Sequence, residues 1–381
     1  MKKILCILPQ VTGGGAERFL ITFLQHVDRS QYELALALVR RGGGFDHEIP
    51  VDVPVHVLTE QAISTKLLAP LGPCRYVFAL LKVIRETKPD AILSFGSLLN
   101  GAVAFAGHLS KFPNPVVLIE ATHESSEIAR HHVLERWSRS LFLRWTYPLA
   151  SQIVAVSEDL ASDLRENFEI SQGIHVIHYG INLEKIRTLA EEPVNHPWLC
   201  SERHDYIIVA CGRLVAQKGF SFLIEAMKDV DKNIKLIIIG DGEDKAKLEI
   251  QIEKLKLEER VNLVGYDRNP YRYIAKADLF VMPSLWEGLP IALLEALVFG
   301  VPLIASDCPT GPRIILKDGD CGILVPPGDT QSLVTAINKV FSDKSLRAKI
   351  SLSAKHRAED FSVHNSLNTY TSLLSKLGKW E

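Results

Sequence analysis

The sequence predicts two doubly wound α/β domains in tandem. Short apolar runs typical of buried strands alternate with helical segments along the chain, which indicates parallel sheets covered on both faces. The chain has 381 residues, 47% of them hydrophobic, which is more than one ordinary core holds. Residues 188–204 are polar and contain two prolines, a composition that suits a linker between the two halves.

The first half, residues 1–187, is predicted to be an N-terminal domain. Its apolar runs are four to seven residues long, and most are followed by a segment of helical character. The predicted strands are residues 3–8, 33–39, 53–58, 91–95, 116–121 and 153–156, and the predicted helices are residues 16–27, 76–87 and 159–167.

The second half, residues 205–359, repeats this pattern and is predicted to be a second domain. In both halves, ligands are expected at the carboxyl ends of the strands, so the two sheets are predicted to face an interdomain cleft. The predicted strands are residues 206–211, 235–239, 261–263, 279–282, 302–305 and 322–325, and the predicted helices are residues 220–227, 244–255, 291–299 and 345–376.

Composition narrows the class of protein. The formal net charge is −2, and nothing in it demands a nucleic-acid partner. Six scattered cysteines without a CxxC pair favour buried free thiols in a reducing compartment, which predicts a cytoplasmic protein. The N-terminal apolar run is too short for a signal peptide, and no run of about 20 apolar residues predicts a spanning helix.

Two glutamates flank one loop–helix junction in the second half. Glu295 lies in the middle of the predicted helix 291–299, which is apolar on every side, and Glu287 lies in the loop before it. A buried carboxylate without partners costs several kcal/mol. We therefore expect sugar hydroxyls at Glu295, with a backbone or arginine partner as the structural alternative. The helix N-terminus would add N–H groups that favour phosphate.

Two cations follow the first strand of the second half. Arg213 and Lys218 lie between a buried strand and a helix, where they suit a diphosphate group. They could stabilise the charge of a departing nucleoside diphosphate without a metal ion. The alternative is a solvated pair of surface charges. The two Asp-x-Asp sequences of the chain lie in turn-like contexts, and neither is predicted to bind a metal.

The first half offers two weaker candidates. A glycine loop that includes Gly14 and Gly15 joins the first strand to the first helix, where backbone can approach a ligand closely. This loop lacks both the P-loop and the GxGxxG pattern, so it is also compatible with a plain tight turn. His123 follows a buried strand, where a histidine can bind substrate, act as an acid or base, or be structural.

Taken together, these segments resemble glycosyltransferase family 4, whose members are retaining enzymes with the GT-B fold of two Rossmann-like domains. The resemblance covers nearly the whole chain and is strongest in GRLVAQKG, LIIIGDGEDKAKLE, ADLFVMPSLWEGLPIALLEAL, GVPLIASDCPTGP and CGILVPPGD. The spacing of Glu287 and Glu295 is the most diagnostic feature of the family. The sequence GGGAER resembles the subgroup that extends bacterial surface glycans and lipid-linked oligosaccharides.

The resemblance implies roles for the singled-out residues. Glu295 would hold the ribose hydroxyls, and Glu287 would contact the donor sugar. Arg213 and Lys218 would grip the diphosphate, and His123 would approach the donor sugar. The remaining implied positions are Gly14, Gly15, Ser284, Gly288 and Leu289 for the donor, and Glu17 and Arg313 on the acceptor side.

The resemblance also implies an activity. It indicates transfer of a hexose or N-acetylhexosamine from a nucleotide sugar, expected to be a UDP-sugar, to a glycan or lipid-linked acceptor, with retention and without a cofactor or metal. The N-terminal domain would be on the acceptor side, and a last helix at about residues 360–381 would pack back on it. A sugar-nucleotide epimerase and a non-catalytic nucleotide-sugar-binding subunit remain the alternatives.

Two departures from the family pattern bear on specificity. The family often has Asn-Gly-Val-Asp where this chain has Tyr179-Gly-Ile-Asn182, and Ile314 replaces a glutamate that many relatives have. Neither position belongs to the donor motif.

A basic, aromatic-bearing segment occupies residues 127–149. Its arginines and tryptophans suit a helix that lies on an anionic membrane or faces a lipid diphosphate, and an ordinary amphipathic helix is the alternative. This segment predicts peripheral association with the inner face of the cytoplasmic membrane.

Overall fold

A computed structural model of the protein describes residues 1–11, 15–59, 76–129, 132–171, 173–199 and 205–377. The chain divides into two units. The first contains Met1–Gly180 and the C-terminal helix Val363–Leu377, and the second is Ile181–Ser362. Each unit is built on its own parallel sheet, as the sequence predicts.

The first unit contains seven parallel strands among its described residues, in the spatial order β3-β2-β1-β4-β5-β6-β7. The order reverses between β1 and β4, which is the topological switch point of a doubly wound sheet. The strands are β1 (Lys2–Leu8), β2 (Tyr32–Leu38), β3 (Val55–Val57), β4 (Ala91–Phe95), β5 (Val116–Glu120), β6 (Gln152–Ala155) and β7 (Ile174–Val176).

Helices cover this sheet because their apolar faces need burial. The α-helices that the first unit contains before residue 181 are α1 (Gly15–His26), α2 (Val77–Thr87), α3 (Ser97–Leu109), α4 (Glu124–Ile128), α5 (Val133–Thr146) and α6 (Glu158–Phe168), among the described residues. The C-terminal helix of the chain packs against α1, and an aromatic cluster joins them. The ring of Phe19 lies 4.6 Å from that of Tyr179 and 5.2 Å from that of Tyr370.

The second unit contains six parallel strands among its described residues, in the order β10-β9-β8-β11-β12-β13. Its switch point lies between β8 and β11. The strands are β8 (Tyr206–Cys211), β9 (Ile234–Ile239), β10 (Val261–Gly265), β11 (Leu279–Met282), β12 (Leu303–Ser306) and β13 (Ile323–Val325).

The α-helices of the second unit, among its described residues, are α7 (Leu183–Ala190), α8 (Phe220–Ala226), α9 (Lys245–Lys254), α10 (Tyr271–Ile274), α11 (Ile291–Leu297), α12 (Pro312–Ile315), α13 (Thr330–Ser342) and α14 (Lys344–Asp360). Helices α8, α9 and α13 of the second unit enclose a core of buried apolar side chains on one face of the sheet. The bounds of α8, α9 and α11 follow the predicted ones to within one or two residues.

The chain changes unit earlier than the predicted linker 188–204. Residues 188–190, the start of the predicted linker, are the last turn of α7 (Leu183–Ala190). Leu183 and Ile186 of this helix are buried. Asn269 donates a hydrogen bond of 2.8 Å from Nδ2 to the carbonyl oxygen of Leu189, which fixes α7 to the second unit. The change therefore falls between Gly180 and Ile181.

The predicted C-terminal helix 345–376 is two helices. The first, α14, ends at Asp360, and the last helix, α15 (Val363–Leu377), begins after a break at Phe361. Phe361 is buried, and its carbonyl oxygen accepts a hydrogen bond of 2.9 Å from the backbone N–H of Ile181. The break coincides with the return of the chain to the first unit.

The cysteines that the structure describes, Cys6, Cys211, Cys308 and Cys321, are free thiols, as expected. Burial raises the pKa of Cys6 and of Cys308 to about 12, which keeps both as unreactive thiols near neutral pH.

Candidate functional site

Two loops meet at the switch point of the second unit. One follows β8 and runs through residues 212–219, and the other follows β11 and runs through residues 283–290. In open parallel sheets, ligands bind in the crevice outside the carboxyl ends of the strands at this point. The geometry of these two loops therefore defines the candidate site.

The two loops are joined by backbone contacts. The N–H of Leu285 donates to the carbonyl oxygen of Gln217 at 2.8 Å, and Nε2 of Gln217 donates to the carbonyl oxygen of Trp286 at 2.9 Å. Gly219 has φ +63°, and a Cβ at this position would lie 2.1 Å from the carbonyl oxygen of Pro283. Only glycine allows this approach, so the pairing of the loops is encoded locally.

Lys218, Ser284 and Glu287 converge on one oxygen atom. Glu287 Oε1 accepts hydrogen bonds of 2.6 Å from Lys218 Nζ and 2.7 Å from Ser284 Oγ. The side chains of Lys218 and Glu287 are 18% and 7% exposed, and Ser284 is fully buried. The site thus holds a largely desolvated ion pair, in which each charge depends on the other.

The loop that carries Glu287 is fixed from its other side. The hydroxyl of Thr310 donates to the carbonyl oxygen of Glu287. Gly311 has φ +88°, and a Cβ there would lie 2.4 Å from the carbonyl oxygen of Gly288. Leu289 is buried where the loop enters α11. Ser284, Gly288 and Leu289 thus belong to the loop that holds the carboxylate of Glu287 in place.

Arg213 lies in the β8 loop and points to solvent. Its side chain is exposed and forms no ion pair with any residue that the structure describes. An unpaired guanidinium close in sequence to a buried ammonium leaves positive charge available to an anionic ligand. The two cations thus differ, because Lys218 has a protein partner and Arg213 is exposed, without an ion pair among the described residues.

Glu295 lies within α11 and is buried, as the sequence predicts. One of its partners is a tyrosine hydroxyl, whereas the structural alternative expected a backbone group or an arginine. The hydroxyl of Tyr271 donates to Glu295 Oε1 at 2.7 Å. Tyr271 begins α10, 24 residues earlier in the chain, and no spacing rule connects it with Glu295. A protein donor therefore shares this carboxylate, and a ribose role for Glu295 stays a prediction.

Arg313 lies in α12, which follows β12, towards the β13 edge of the sheet of the second unit. Its guanidinium binds both carboxylate oxygens of Asp307 and lies 3.4 Å from Asp318 Oδ1. These residues and Lys339 line a cavity of about 680 Å³ beside β13. The structure thus shows Arg313 held by two carboxylates, and its predicted acceptor contact stays untested.

His123 lies in the first unit, immediately before α4. Its Nδ1 atom is 2.9 Å from Ser126 Oγ and 3.6 Å from Asp163 Oδ2. The side chain is 20% exposed, whereas that of Asp163 is almost fully buried. These contacts leave Nε2 as the ring atom available to a ligand. Gly15 and Glu17 lie in the first turn of α1, and Gly14 lies outside the described residues.

A buried acidic cluster next to His123 was not predicted. Glu120 accepts hydrogen bonds from the Tyr147 hydroxyl at 2.5 Å and from the N–H groups of Ala121 and Thr122. Burial outweighs these bonds and raises the pKa of Glu120 to about 7. Burial, followed by the charge of Glu120, raises the pKa of Glu124 well above its usual range. The sequence signal was a glutamate at the end of an otherwise apolar strand.

The fold has counterparts among solved glycosyltransferase structures. HepE from Anabaena, solved in complex with UDP, matches with a TM-score of 0.79 and 22% identity over 99% of this chain and 100% of that one. Sucrose-phosphate synthase from Thermosynechococcus elongatus matches with a TM-score of 0.81 and 17% identity over 99% of both chains. The protein therefore has the GT-B fold of glycosyltransferases.

Sequence comparisons identify the family. Residues 13–185 match the model described as glycosyltransferase family 4, and residues 200–357 match the model described as glycosyl transferases group 1. The chain belongs to glycosyltransferase family 4 and is a glycosyltransferase.

Relatives with assigned activities cover most of the chain. The 4-alpha-N-acetylgalactosaminyltransferase of Campylobacter jejuni that acts on N-acetylgalactosamine-N,N'-diacetylbacillosaminyl-diphospho-undecaprenol is 28% identical over 95% of this chain and 96% of its own. The amylovoran biosynthesis glycosyltransferase AmsD of Erwinia amylovora is 28% identical over 98% and 100%. A UDP-Gal:alpha-D-GlcNAc-diphosphoundecaprenol alpha-1,3-galactosyltransferase of Escherichia coli is 29% identical over 71% of each.

Within the part of the chain that the structure describes, no helix combines the length and apolar character needed to cross a bilayer.

Proposed function

We propose that the protein is a retaining α-glycosyltransferase that moves a hexose or N-acetylhexosamine from a UDP-sugar to a glycan or lipid-linked acceptor, without a metal ion, in the synthesis of a bacterial surface glycan. The observation that carries this proposal is the arrangement of Lys218, Ser284 and Glu287 at the switch point of the second unit. This arrangement offers a cation for phosphate and a carboxylate for sugar hydroxyls within one hydrogen-bonded group.

The second unit would bind the donor. Arg213 and Lys218 would bind the diphosphate, Glu287 would accept hydrogen bonds from hydroxyls of the sugar, and Glu295 would accept them from the ribose. Glu295 Oε1 already accepts from Tyr271, and a carboxylate has about four lone-pair sites, so it can accept ribose hydroxyls as well. Two similar proteins support UDP as the nucleotide of the donor. HepE was solved with UDP and with UDP-glucose, and the relative from Escherichia coli is named as a UDP-Gal-dependent galactosyltransferase.

The transfer step would be a displacement on one face of the sugar. The bond between the anomeric carbon and the β-phosphate oxygen breaks, and a bond from the acceptor oxygen to the same carbon forms on the same face. The acceptor proton passes to the departing phosphate oxygen. Arg213 and Lys218 would stabilise the charge that develops on the leaving diphosphate, a contact typically worth about 10²–10³ in rate.

The acceptor would be a lipid-linked glycan, reached by peripheral contact with the inner face of the cytoplasmic membrane. Two relatives act on undecaprenol diphosphate-linked substrates according to their names. In the first unit, α5 exposes Leu134, Trp137, Leu141 and Trp145 on one stripe. Arg136 is exposed near this stripe, and an exposed apolar stripe next to positive charge suits an anionic bilayer surface.

A thermal-shift screen against UDP-, GDP- and ADP-sugars tests the donor assignment. A ligand that binds only the folded state at 100 times its Kd stabilises it by about 2.7 kcal/mol. We expect a UDP-sugar to raise the melting temperature by several degrees in wild type and in Lys228→Gln, a surface control. The shift should be absent in Lys218→Gln. A shift with GDP- or ADP-sugars alone would contradict the UDP assignment.

Product analysis separates the proposed transfer from epimerisation. With the donor alone, we expect only slow hydrolysis, because no acceptor is present. Recovery of an epimerised sugar nucleotide would contradict the proposed activity.

A further inference from the structure

Lys218 and Glu287, which would bind the diphosphate and the sugar of the donor, form an ion pair with each other. Lys218 Nζ lies 2.6 Å from Glu287 Oε1, and both side chains are largely buried. Each group therefore already uses one of its hydrogen-bonding positions on the other. A diphosphate that takes Lys218 competes with Glu287 for the ammonium, and a sugar that takes Glu287 competes with Lys218 for the carboxylate.

The cost of breaking the pair depends on what replaces each partner. Removing one member of a buried ion pair leaves an uncompensated charge, which is strongly unfavourable. A diphosphate that takes Lys218 supplies a new negative partner for the lysine. It supplies nothing to Glu287, which would keep, among its side-chain contacts with the described residues, the 2.7 Å hydrogen bond from Ser284.

The carboxylate cannot escape this cost by moving into solvent. Glu287 is 7% exposed, and the Thr310 hydroxyl and the close approach of Gly311 fix the backbone of its loop. Stripped of Lys218, Glu287 therefore needs hydrogen-bond donors from a ligand. Sugar hydroxyls are such donors, and a nucleoside diphosphate without its sugar has none at this position.

We propose that the Lys218–Glu287 pair is exchanged when the donor binds, so that the site favours the intact nucleotide sugar over the nucleoside diphosphate. The inference rests on the proposed donor function. The intact donor satisfies both charges, the diphosphate satisfying Lys218 and the sugar satisfying Glu287. After transfer the sugar leaves, Glu287 recaptures Lys218, and the diphosphate is released more readily.

Arg213 complements this exchange. It is exposed and has no ion-pair partner among the described residues, so it can contact the diphosphate before the buried pair opens. Its contact costs no protein ion pair, and it is the same for UDP and for a UDP-sugar. The discrimination between these two ligands is therefore carried by Lys218 and Glu287.

Titration calorimetry tests the exchange with UDP, UDP-glucose and UDP-N-acetylgalactosamine as probes. Of the two UDP-sugars, the one with the lower Kd for wild type is used for comparison. The readout is the Kd of UDP divided by the Kd of this UDP-sugar. In wild type this ratio should exceed 1. In Glu287→Gln it should fall at least about tenfold, because a neutral amide no longer competes with phosphate for Lys218.

A second variant moves the ratio in the opposite direction without changing the charge of the site. Ser284→Ala removes the donor that remains to Glu287 when Lys218 is taken, so UDP should weaken more than the UDP-sugar and the ratio should rise. This variant keeps the test decisive if Glu287→Gln folds poorly. The control is Glu225→Gln, which breaks an exposed 2.8 Å pair with Lys228 in the same unit and should leave the ratio unchanged.

The outcomes separate the two levels of the proposal. Binding of UDP and a UDP-sugar with a ratio of 1 in wild type, or with a ratio unmoved by Glu287→Gln and Ser284→Ala, overturns the exchange and leaves the donor function standing. Failure of wild type to bind any of the three probes overturns the proposed UDP-sugar function itself, and the exchange with it.

Discussion

Glu120 is a residue whose protonation state is set by its position at the end of a buried strand. Three donors stabilise its charged form, and burial still raises its pKa to about 7, whereas the ordinary value is 4.5. The unfolded chain therefore loses this proton before the folded protein does as pH rises. The stabilisation from a protonated Glu120 is complete below about pH 4.5 and is lost as pH approaches 7.

The raised pKa of Glu120 predicts that the effect of Glu120→Gln on stability depends on pH. Glutamine does not titrate, so thermal unfolding from pH 5 to pH 8 should show the variant gaining stability relative to wild type as pH rises. The gain should be of order 3 kcal/mol at most, from about two and a half pKa units. Glu158→Gln, at an exposed position of the same unit, is the control. A difference between Glu120→Gln and wild type that is the same at every pH would contradict the assignment.

Helix α5 carries large apolar side chains on its solvent-exposed face. Leu143 and Thr146 on one face are buried, while Leu134, Trp137 and Trp145 on the opposite face are 84%, 69% and 74% exposed. Large apolar side chains at helical spacing on a solvent face have no role in the core. Such a stripe marks a surface for another apolar phase, and the proposed phase is a membrane.

Replacing both tryptophans tests this proposal. Burial of a large apolar side chain is worth roughly 1.5–3 kcal/mol, so Trp137→Ala with Trp145→Ala should weaken binding to vesicles that contain phosphatidylglycerol by at least about tenfold. Co-sedimentation measures the bound fraction. Ile250→Ala with Leu352→Ala removes two exposed apolar side chains from the second unit and should have no effect. Equal binding by both double variants would reject the α5 surface, and so would a wild type that fails to bind.

The strands and most helices were predictable because local sequence determines them. The apolar runs of β1 and β8 are buried by any parallel sheet, so their bounds were correct to within one residue. The break at Phe361 was not predictable from local sequence, because both flanking segments have good helical sequence and the break follows from tertiary packing. Local pattern cannot contain that information. The family resemblance, by contrast, implied a separate last helix from about residue 360.

The positions of Lys218 and Glu287 after strands were predictable, and their contact with each other was not. Lys218 and Glu287 were chosen for their positions after strands, but they are 69 residues apart, and their ion pair exists because β8 and β11 are neighbours. Tyr271 was missed for the same reason, since its contact with Glu295 depends on how α10 packs. The acidic cluster at Glu120 carried a visible signal, a charged residue in an apolar strand.

At the scale of the whole molecule, the chain combines two parallel-sheet units, and the second carries the arrangement of charges that suits a nucleotide sugar. Its switch point brings an exposed guanidinium, a buried ammonium and a buried carboxylate to adjacent loops. Glu295 is buried in α11 beyond the second loop, and its proposed partner is the ribose of the donor. The account thus requires that the donor bind to the second unit through this carboxylate.

The most direct test is the affinity of Glu295→Gln for the UDP-sugar that stabilises wild type most strongly, measured by titration calorimetry. Glutamine keeps an oxygen that can accept from Tyr271, so the fold should survive, and equal melting temperatures without ligand would verify this. Hydrogen bonds to a charged group are worth about 1.5–3 kcal/mol, so the account predicts that affinity falls at least about tenfold. An unchanged affinity in a folded variant would contradict it.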